Sequence, residues 1–243
     1  MKKKINPPMA GRLSLVTGAN RGIGFEIAAA LAREGSDIVM TGRDARSLLQ
    51  AARKIEKLGV RVLAETCDVR NPESVDALFT RLRMLRRSLD FLINNAGIAH
   101  PNCTIADMPY PTWVDVIDTN LTGMFLVTQA ALAVMKQGSA IVNNLSVAAE
   151  RVFPGSAAYN ASKHGALGLT DTLREELRPR GIRVIALLPG ATDTDIWTTL
   201  WPQAPRRKMM SPAAVAQAVV DALALPPNTV VEKLVLRPAA GTL

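Results

Sequence analysis

The stretch "TGANRGIG", residues 17–24, separates an apolar run, "RLSLVT" (12–17), from the helical pattern "GIGFEIAAALAREG" that begins at Gly22. Glycines clustered at a strand-to-helix junction have a specific use. Gly18 permits a tight turn, while Gly22 and Gly24 let bare backbone approach a ligand and let the helix pack closely on the strand. The helix that follows offers unpaired N–H groups and the positive end of its dipole, which together suit a pyrophosphate. A glycine-rich turn by itself is as often an ordinary turn. The strand before it and the helix after it supply the context that phosphate binding requires. Gly18, Asn20, Arg21, Gly22, Ile23 and Gly24 are therefore read as a dinucleotide cradle.

Outward from this junction, strand-like and helix-like segments alternate to the end of the chain. Strand patterns are read at "DIVMTG" (37–42), "VRVLAET" (60–66), "LDFLINN" (89–95), "SAIVNNLS" (139–146), "IRVIALLP" (182–189) and "EKLVLRP" (232–238). Helical patterns are read over 44–58, from Asn71 to about Arg86, over a long stretch of about 112–136, around Tyr159, and from Ser211 to about Leu225. Strands that are apolar on both faces suit a parallel sheet covered by helices on both sides. The expectation is a single α/β domain: a Rossmann-type, doubly wound parallel sheet of about seven strands. It would occupy residues 11–243, after a mobile basic leader at 1–10, with a short substrate lid at about 193–210.

Composition narrows the function. The 243 residues are 48% hydrophobic but only 4% aromatic, so the core is expected to be mostly aliphatic. No apolar run reaches the ~20 residues of a membrane span, and the basic start is followed by too short an apolar run for a signal peptide. Cys67 and Cys103 have no metal-ligand spacing and suggest no disulfide framework. A cytoplasmic protein with no metal centre and no membrane partner is expected. The net charge of +8 and pI near 9.9 raise the question of nucleic acid. The basic residues fall in separate clusters (Lys2–Lys4 with Arg12, Arg81–Arg87, Arg206–Lys208) without interleaved aromatics, which argues against a nucleic-acid partner.

The end of the second strand chooses between dinucleotides, because an acid there would bind the ribose hydroxyls. The sequence instead reads "MTGRD": Arg43 can pair with a 2′-phosphate, with Arg21 as a second cation. Asp44 is better placed to cap the next helix. The cofactor expected is NADP(H) in preference to NAD(H).

A second decisive stretch is "SAAYNASKHGALGL", residues 156–169. Tyr159 and Lys163 are four apart and so share a helix face. Together with "TGANRGIG", "CDV" (67–69), "NNAG" (94–97), "DTNLTG" (118–123), Ser146 and "PGATDT" (189–194), this segment closely resembles the classical short-chain dehydrogenase/reductase family, in the family's order, from about Gly11 onward. The resemblance implies a proton-relay tetrad at Asn120, Ser146, Tyr159 and Lys163. It also implies that Asp68 and Val69 flank adenine, that Asn95, Ala96 and Gly97 line the cofactor groove, and that Pro189, Gly190, Thr192 and Thr194 lie beside the nicotinamide. Two departures stand out: "NNLS" where the family often has a second serine, and Thr192 where an aliphatic residue is common. Family likeness further implies a homotetramer or homodimer.

These residues suit carbonyl reduction. The developing alkoxide needs a proton, and a phenol of pKa ~10 is a sluggish donor near neutrality unless its acidity is tuned. A cation at ~4 Å in an effective dielectric of ~20 is worth roughly 4 kcal/mol to a phenolate, before the opposing cost of burial. The expected function is an NADP(H)-dependent oxidoreductase interconverting a ketone or aldehyde with an alcohol. One alternative is a 3-oxoacyl-[acyl-carrier-protein] reductase, whose acidic carrier would meet the basic rim "APRRKMM" (204–210). An alternative of another class is a non-catalytic NADP(H)-binding sensor or scaffold, which would have no use for Ser146, Tyr159 and Lys163. Trp197 and Trp201 are expected on one face of a short lid helix, with Arg206, Arg207 and Lys208 pointing outward. His164, Asn143 and Asn144 are read as structural; for His100, in the loop after "NNAG", an edge of the substrate mouth is the lesser reading beside a structural one.

Overall fold

Alternation along single strands explains why both faces of the sheet are covered. Leu13 and Leu15 of β1 (Leu13–Val16) pack to one side and Val16 to the other, while in β4 (Leu89–Asn94) Leu92 opposes Phe91 and Ile93. The computed structural model, which describes residues 8–241, forms one seven-stranded, all-parallel sheet ordered β3-β2-β1-β4-β5-β6-β7. The remaining strands are β2 (Asp37–Gly42), β3 (Val62–Thr66), β5 (Met135–Asn144), β6 (Arg183–Pro189) and β7 (Lys233–Leu236). On one face lie α1 (Gly22–Arg33), α2 (Ala45–Glu56) and α8 (Pro212–Leu223), joined through Ile27, Leu31, Leu48, Val215 and Val219. On the other lie α3 (Pro72–Met84), α5 (Gly123–Ala131) and α6 (Ala157–Leu177), joined through Phe79, Val127 and Leu173. The doubly wound single domain is the architecture expected of the strand and helix alternation. Among the described residues no helix is long and apolar enough to cross a membrane.

The stretch expected to be one long helix at 112–136 is three things. Helix α4 (Tyr110–Ile117) passes into a π-helical segment at Asp118–Thr122 and then into α5, which ends at Ala131. The chain at Val134 is drawn onto the neighbouring strand, where Leu89 N donates to Val134 O at 2.9 Å, so Met135 already begins β5. Local sequence in this segment reads as helix, and tertiary strand pairing overrides it. The basic run Lys2–Lys4 lies outside the described residues. Met9, assigned by sequence to the leader, is 2% exposed and donates its N–H to Glu34 O, so the folded domain begins before Gly11.

A cross-strand stitch closes the glycine turn. Asn95 Nδ2 donates to Thr17 O (2.9 Å) and Gly18 O (3.1 Å), and Thr17 Oγ1 accepts from Asn95 N and Ala96 N. Gly18 and Gly22 both take positive φ, +61° and +59°. A Cβ on Gly24 would sit 2.6 Å from Gly18 O and closer still to Asn95 Nδ2. Gly24→Ala is therefore expected to lower stability by about 1–3 kcal/mol, the usual cost of overpacking. Thermal or denaturant unfolding measures it, and an unchanged midpoint would mean that the stitch yields freely.

Candidate active site

Strand order reverses between β1 and β4, so the connections leaving their C-terminal ends part and leave a crevice there. A cleft of about 930 Å³ opens at this point, running from Arg43 and Asp68 past the glycine turn to Tyr159 and Gly190. Three groups of residues shape it.

At one end, the turn 17–22 leaves backbone bare. Ala96 abuts Gly18, and Thr194 packs over Gly22. The N-terminus of α1 has no side-chain cap and no acid in its first turn, whereas α2, α3 and α8 are closed by Asp44, Asn71 and Ser211. Free N–H groups at such an end, facing a cleft, fit a pyrophosphate. Asp44 is engaged as a cap: its carboxylate accepts from Ser47 N at 2.7 Å, and hydrogen bonding from the Ser47 side chain and then its backbone lowers the Asp44 pKa. Arg43 lines the cleft, exposed, with no hydrogen bond or ion pair among the described residues. Arg21, expected to join it, instead pairs with Asp195 at 3.3 Å, where the chain enters the lid. Asp68 is held by Arg70, whose Nη2 lies 2.7 Å from Oδ2 and whose backbone N also donates to it. Those bonds keep the Asp68 carboxyl below the usual range.

At the centre, β5 delivers Ser146 just beyond its end and α6 delivers Tyr159 and Lys163 on one face. Lys163 is buried, donates from Nζ to Asn144 O at 3.0 Å, and stands 5.6 Å from the centroid of the Tyr159 ring. Burial is the main influence on the phenol and raises its pKa, while a hydrogen bond with Ser146 works the other way. The tuning expected from the neighbouring cation is not among the influences on the phenol; desolvation dominates there, and it also pulls Lys163 down to about 8. Asn120 sits in the π-helical segment, a frequent feature of functional sites. Its side chain is fully used: Oδ1 accepts from Ile98 N at 2.8 Å, and Nδ2 donates to Ile98 O and Ser162 Oγ. A Cβ on Gly97 would lie 3.3 Å from Asn120 Oδ1 and 3.8 Å from Lys163 Nζ, so this glycine brings main chain between them. Asn144 Nδ2 donates to Asn95 Oδ1, and Asn143 joins Asn94 to Thr170, so both asparagines bind strands and helices together as expected.

The far wall comes from the segment after β6. Pro189, Gly190, Thr192 and Thr194 all line the cleft, and Thr192 is buried with its hydroxyl on Gly190 O. The lid's ends are tied by a parallel bridge between Thr192 and Met210. Helix α7 (Trp197–Leu200) is a single turn, and Trp201 leaves it at extended φ −159°, so the two indoles do not share a helix face. Both nevertheless line the cleft, with Trp197 Nε1 donating to Thr192 O. Arg206 does not point outward at a rim. It binds Asp193 and Thr194 O, both at 2.7 Å, and braces the lid. His100 is buried at 2% exposure against Pro101 O and is not among the residues lining the cleft, while His164 caps back onto Asn160 O.

Sequence reasoning passed over Asn102, Arg151, Phe153, Ser156 and Arg237, which also line the cleft. Arg151, Phe153 and Ser156 follow β5 directly, so the rule that ligands bind beyond the carboxyl ends of strands would have found them. Asn102 and Arg237 carry no local signal.

The family model for short chain dehydrogenases matches residues 12–205, and the chain belongs to that family of oxidoreductases. A 3beta-hydroxysteroid dehydrogenase of Mediterraneibacter gnavus is 37% identical over 186 residues, covering 76% of this chain and 67% of its own. An alcohol dehydrogenase of the archaeon Thermococcus sibiricus, solved with 5-hydroxy-NADP, superposes with a TM-score of 0.88 at 29% identity, covering 96% of this chain and 98% of its own. A carveol dehydrogenase of Mycobacterium avium, solved with NAD, superposes with a TM-score of 0.87 at 25% identity, covering 96% and 99%. Solved relatives thus hold either nicotinamide dinucleotide.

The depressed Lys163 has a consequence for stability. In the unfolded chain it keeps its proton up to about 10.5, so between about 8 and 10.5 the unfolded state holds a proton that the folded state has released. Stability from this group therefore rises with pH through that window, and below pH about 8 the cost of burying the charge is present in full. Measured by denaturant unfolding, the difference between the unmodified protein and Lys163→Met should climb by on the order of 2–3 kcal/mol from pH 8 to 10. A flat difference would mean that Lys163 is not depressed.

Proposed function

We propose that the protein interconverts a ketone or aldehyde with an alcohol, using NADP(H) in preference to NAD(H). The observation that carries this reading is the convergence of Ser146, Tyr159 and Lys163 on one wall of the cleft. When bound, the reduced cofactor supplies the hydride. Gly18, Asn20, Arg21, Gly22, Ile23 and Gly24 would hold its pyrophosphate half. Asp68 and Val69 would flank its adenine. Asn95, Ala96, Gly97, Pro189, Gly190, Thr192 and Thr194 would line its remaining length.

Each residue at the reacting end then has a distinct task. Ser146 Oγ donates to the carbonyl oxygen and fixes its position. Tyr159, kept protonated by its burial, passes its phenolic proton to the same oxygen as negative charge develops there. Lys163, poised at about 8, replaces that proton and holds ribose hydroxyls. The side chain of Asn120 is consumed by Ile98 and Ser162, so any part in a proton path runs through its main chain. Phe153, Ile196, Trp197, Leu200 and Trp201 make an apolar wall for the substrate. Arg43 supports the cofactor preference, because it is the unpaired cation at the end of β2 while Asp44 is turned to α2. We further infer a cytoplasmic homodimer or homotetramer; Phe125, 43% exposed on α5, supports a subunit contact on that helix.

Tyr159→Phe should retain NADPH binding and lose about 10²–10⁴ in turnover of a carbonyl panel. Arg43→Ala, tested alongside it, should weaken NADPH by about 10-fold or more while moving NADH little, the scale of one charge-assisted bond. Near-normal turnover by Tyr159→Phe would remove the proton-donor assignment. Equal NADPH and NADH affinities in the unmodified protein would remove the cofactor preference.

A further inference from the structure

The cleft is unbalanced in charge. Its lining includes three acids, Asp44, Asp68 and Asp195, and each is already occupied, by Ser47, Arg70 and Arg21 respectively. Against them stand Arg21, Arg43, Arg151, Lys163 and Arg237. Arg43 has its place beside β2. Arg151 has no such explanation. It lies on the loop that joins the short turn Val147–Ala149 to α6, five positions after Ser146, and its backbone N is fixed by Val147 O at 3.0 Å. Its guanidinium makes no hydrogen bond or ion pair among the described residues. The neighbouring acid, Glu150, is drawn away by Lys233 at 2.8 Å.

Arg151 is on the wrong side of the cleft to serve the 2′-phosphate. Strands β2 and β5 are three places apart in the sheet order, about 14 Å at the usual strand spacing. The loop of Arg151 instead shares the substrate side with Phe153 and Ser156. It is pinned there by Cys103 N on Gly155 O at 3.0 Å and by Ser156 Oγ on Asn102 Oδ1 at 3.1 Å. A fixed loop that offers an unpaired planar fork next to an apolar wall is suited to a pair of anionic oxygens. Arg151 is exposed, so this fork stands at the solvent-facing edge of the cleft, beside the half-buried Phe153.

We propose that the substrate is an apolar carbonyl compound carrying an anionic group, and that Arg151 is the residue that selects it. The inference rests on the reductase reading above. It is separate from the lid, where Arg206 is already spent on Asp193 and Thr194 while Arg207 and Lys208 remain exposed. The group recognised is a carboxylate or a phosphate, two sources of the same paired oxygens.

The test compares three ketones of one shape with saturating NADPH: 4-acetylbenzoate, 4-acetylphenyl phosphate and the neutral methyl 4-acetylbenzoate. The quantity read is kcat/KM for each anion divided by that for the ester. In the unmodified protein the ratio should exceed one for at least one anion. In Arg151→Gln that ratio should fall about 10- to 100-fold, the scale of a charge-assisted bond, and Arg151→Lys should recover part of it. The anion with the larger fall identifies the source. A ratio that is the same in Arg151→Gln as in the unmodified protein overturns the assignment while leaving the reductase intact. Absence of turnover of all three ketones by an NADPH-bound protein overturns the reductase reading and this assignment with it.

Discussion

One carboxamide holds the place where the sheet divides. Asn95 stands just past the end of β4, and its Nδ2 bonds to Thr17 O and Gly18 O tie that strand to the glycine turn at the end of β1. Its Oδ1 takes a third bond, from Asn144 at the end of β5. Three strand ends are thereby fixed at the point where the winding direction changes. Buried polar groups are costly unless satisfied, so a network of this kind tolerates few arrangements and specifies one. The glycines follow from it. Gly24 is required because Asn95 Nδ2 and Gly18 O occupy the space a side chain would need, and Gly18 because Ala96 lies against it.

The electrostatic character of the site follows from the same closure. The end of β5 and the turn at Gly97 stand against the buried Lys163, Ser146 stands beside Tyr159, and desolvation moves both groups toward their neutral forms. A neutral phenol is a proton donor in waiting, and a lysine near 8 can give up its proton in the range where cells operate. Charges elsewhere in the cleft are sorted by pairing. Acids are absorbed locally by Ser47, Arg70 and Arg21, which leaves a surplus of positive charge facing inward, suited to a polyanionic ligand.

Much of this was legible from sequence because it depends on local chemistry. The glycine turn, the alternation of strands and helices, the capping role of Asp44 and the shared face of Tyr159 and Lys163 are set by residues near one another in the chain. What was not legible depends on distant partners. The helix expected through residue 136 ends at Ala131 because β4 captures Val134. Arg206 reads as a rim cation until Asp193 and Thr194 are seen beside it, and Arg21 reads as a second cation for a 2′-phosphate until Asp195 is. The dominance of desolvation at Tyr159 likewise needs the depth of burial, which no spacing encodes.

The central claim is that this cleft brings a carbonyl carbon against a nicotinamide and beside the Tyr159 phenol. The most direct measurement follows a labelled hydride. Ketone is incubated with NADPH carrying deuterium at one or the other position of C4, and the alcohol is analysed by mass spectrometry. The account predicts alcohol with one deuterium on the carbinol carbon from one labelled cofactor and none from the other, with the hydroxyl proton supplied by solvent. Bound NADPH that remains reduced and fully labelled, with no deuterated alcohol from either cofactor, would contradict it.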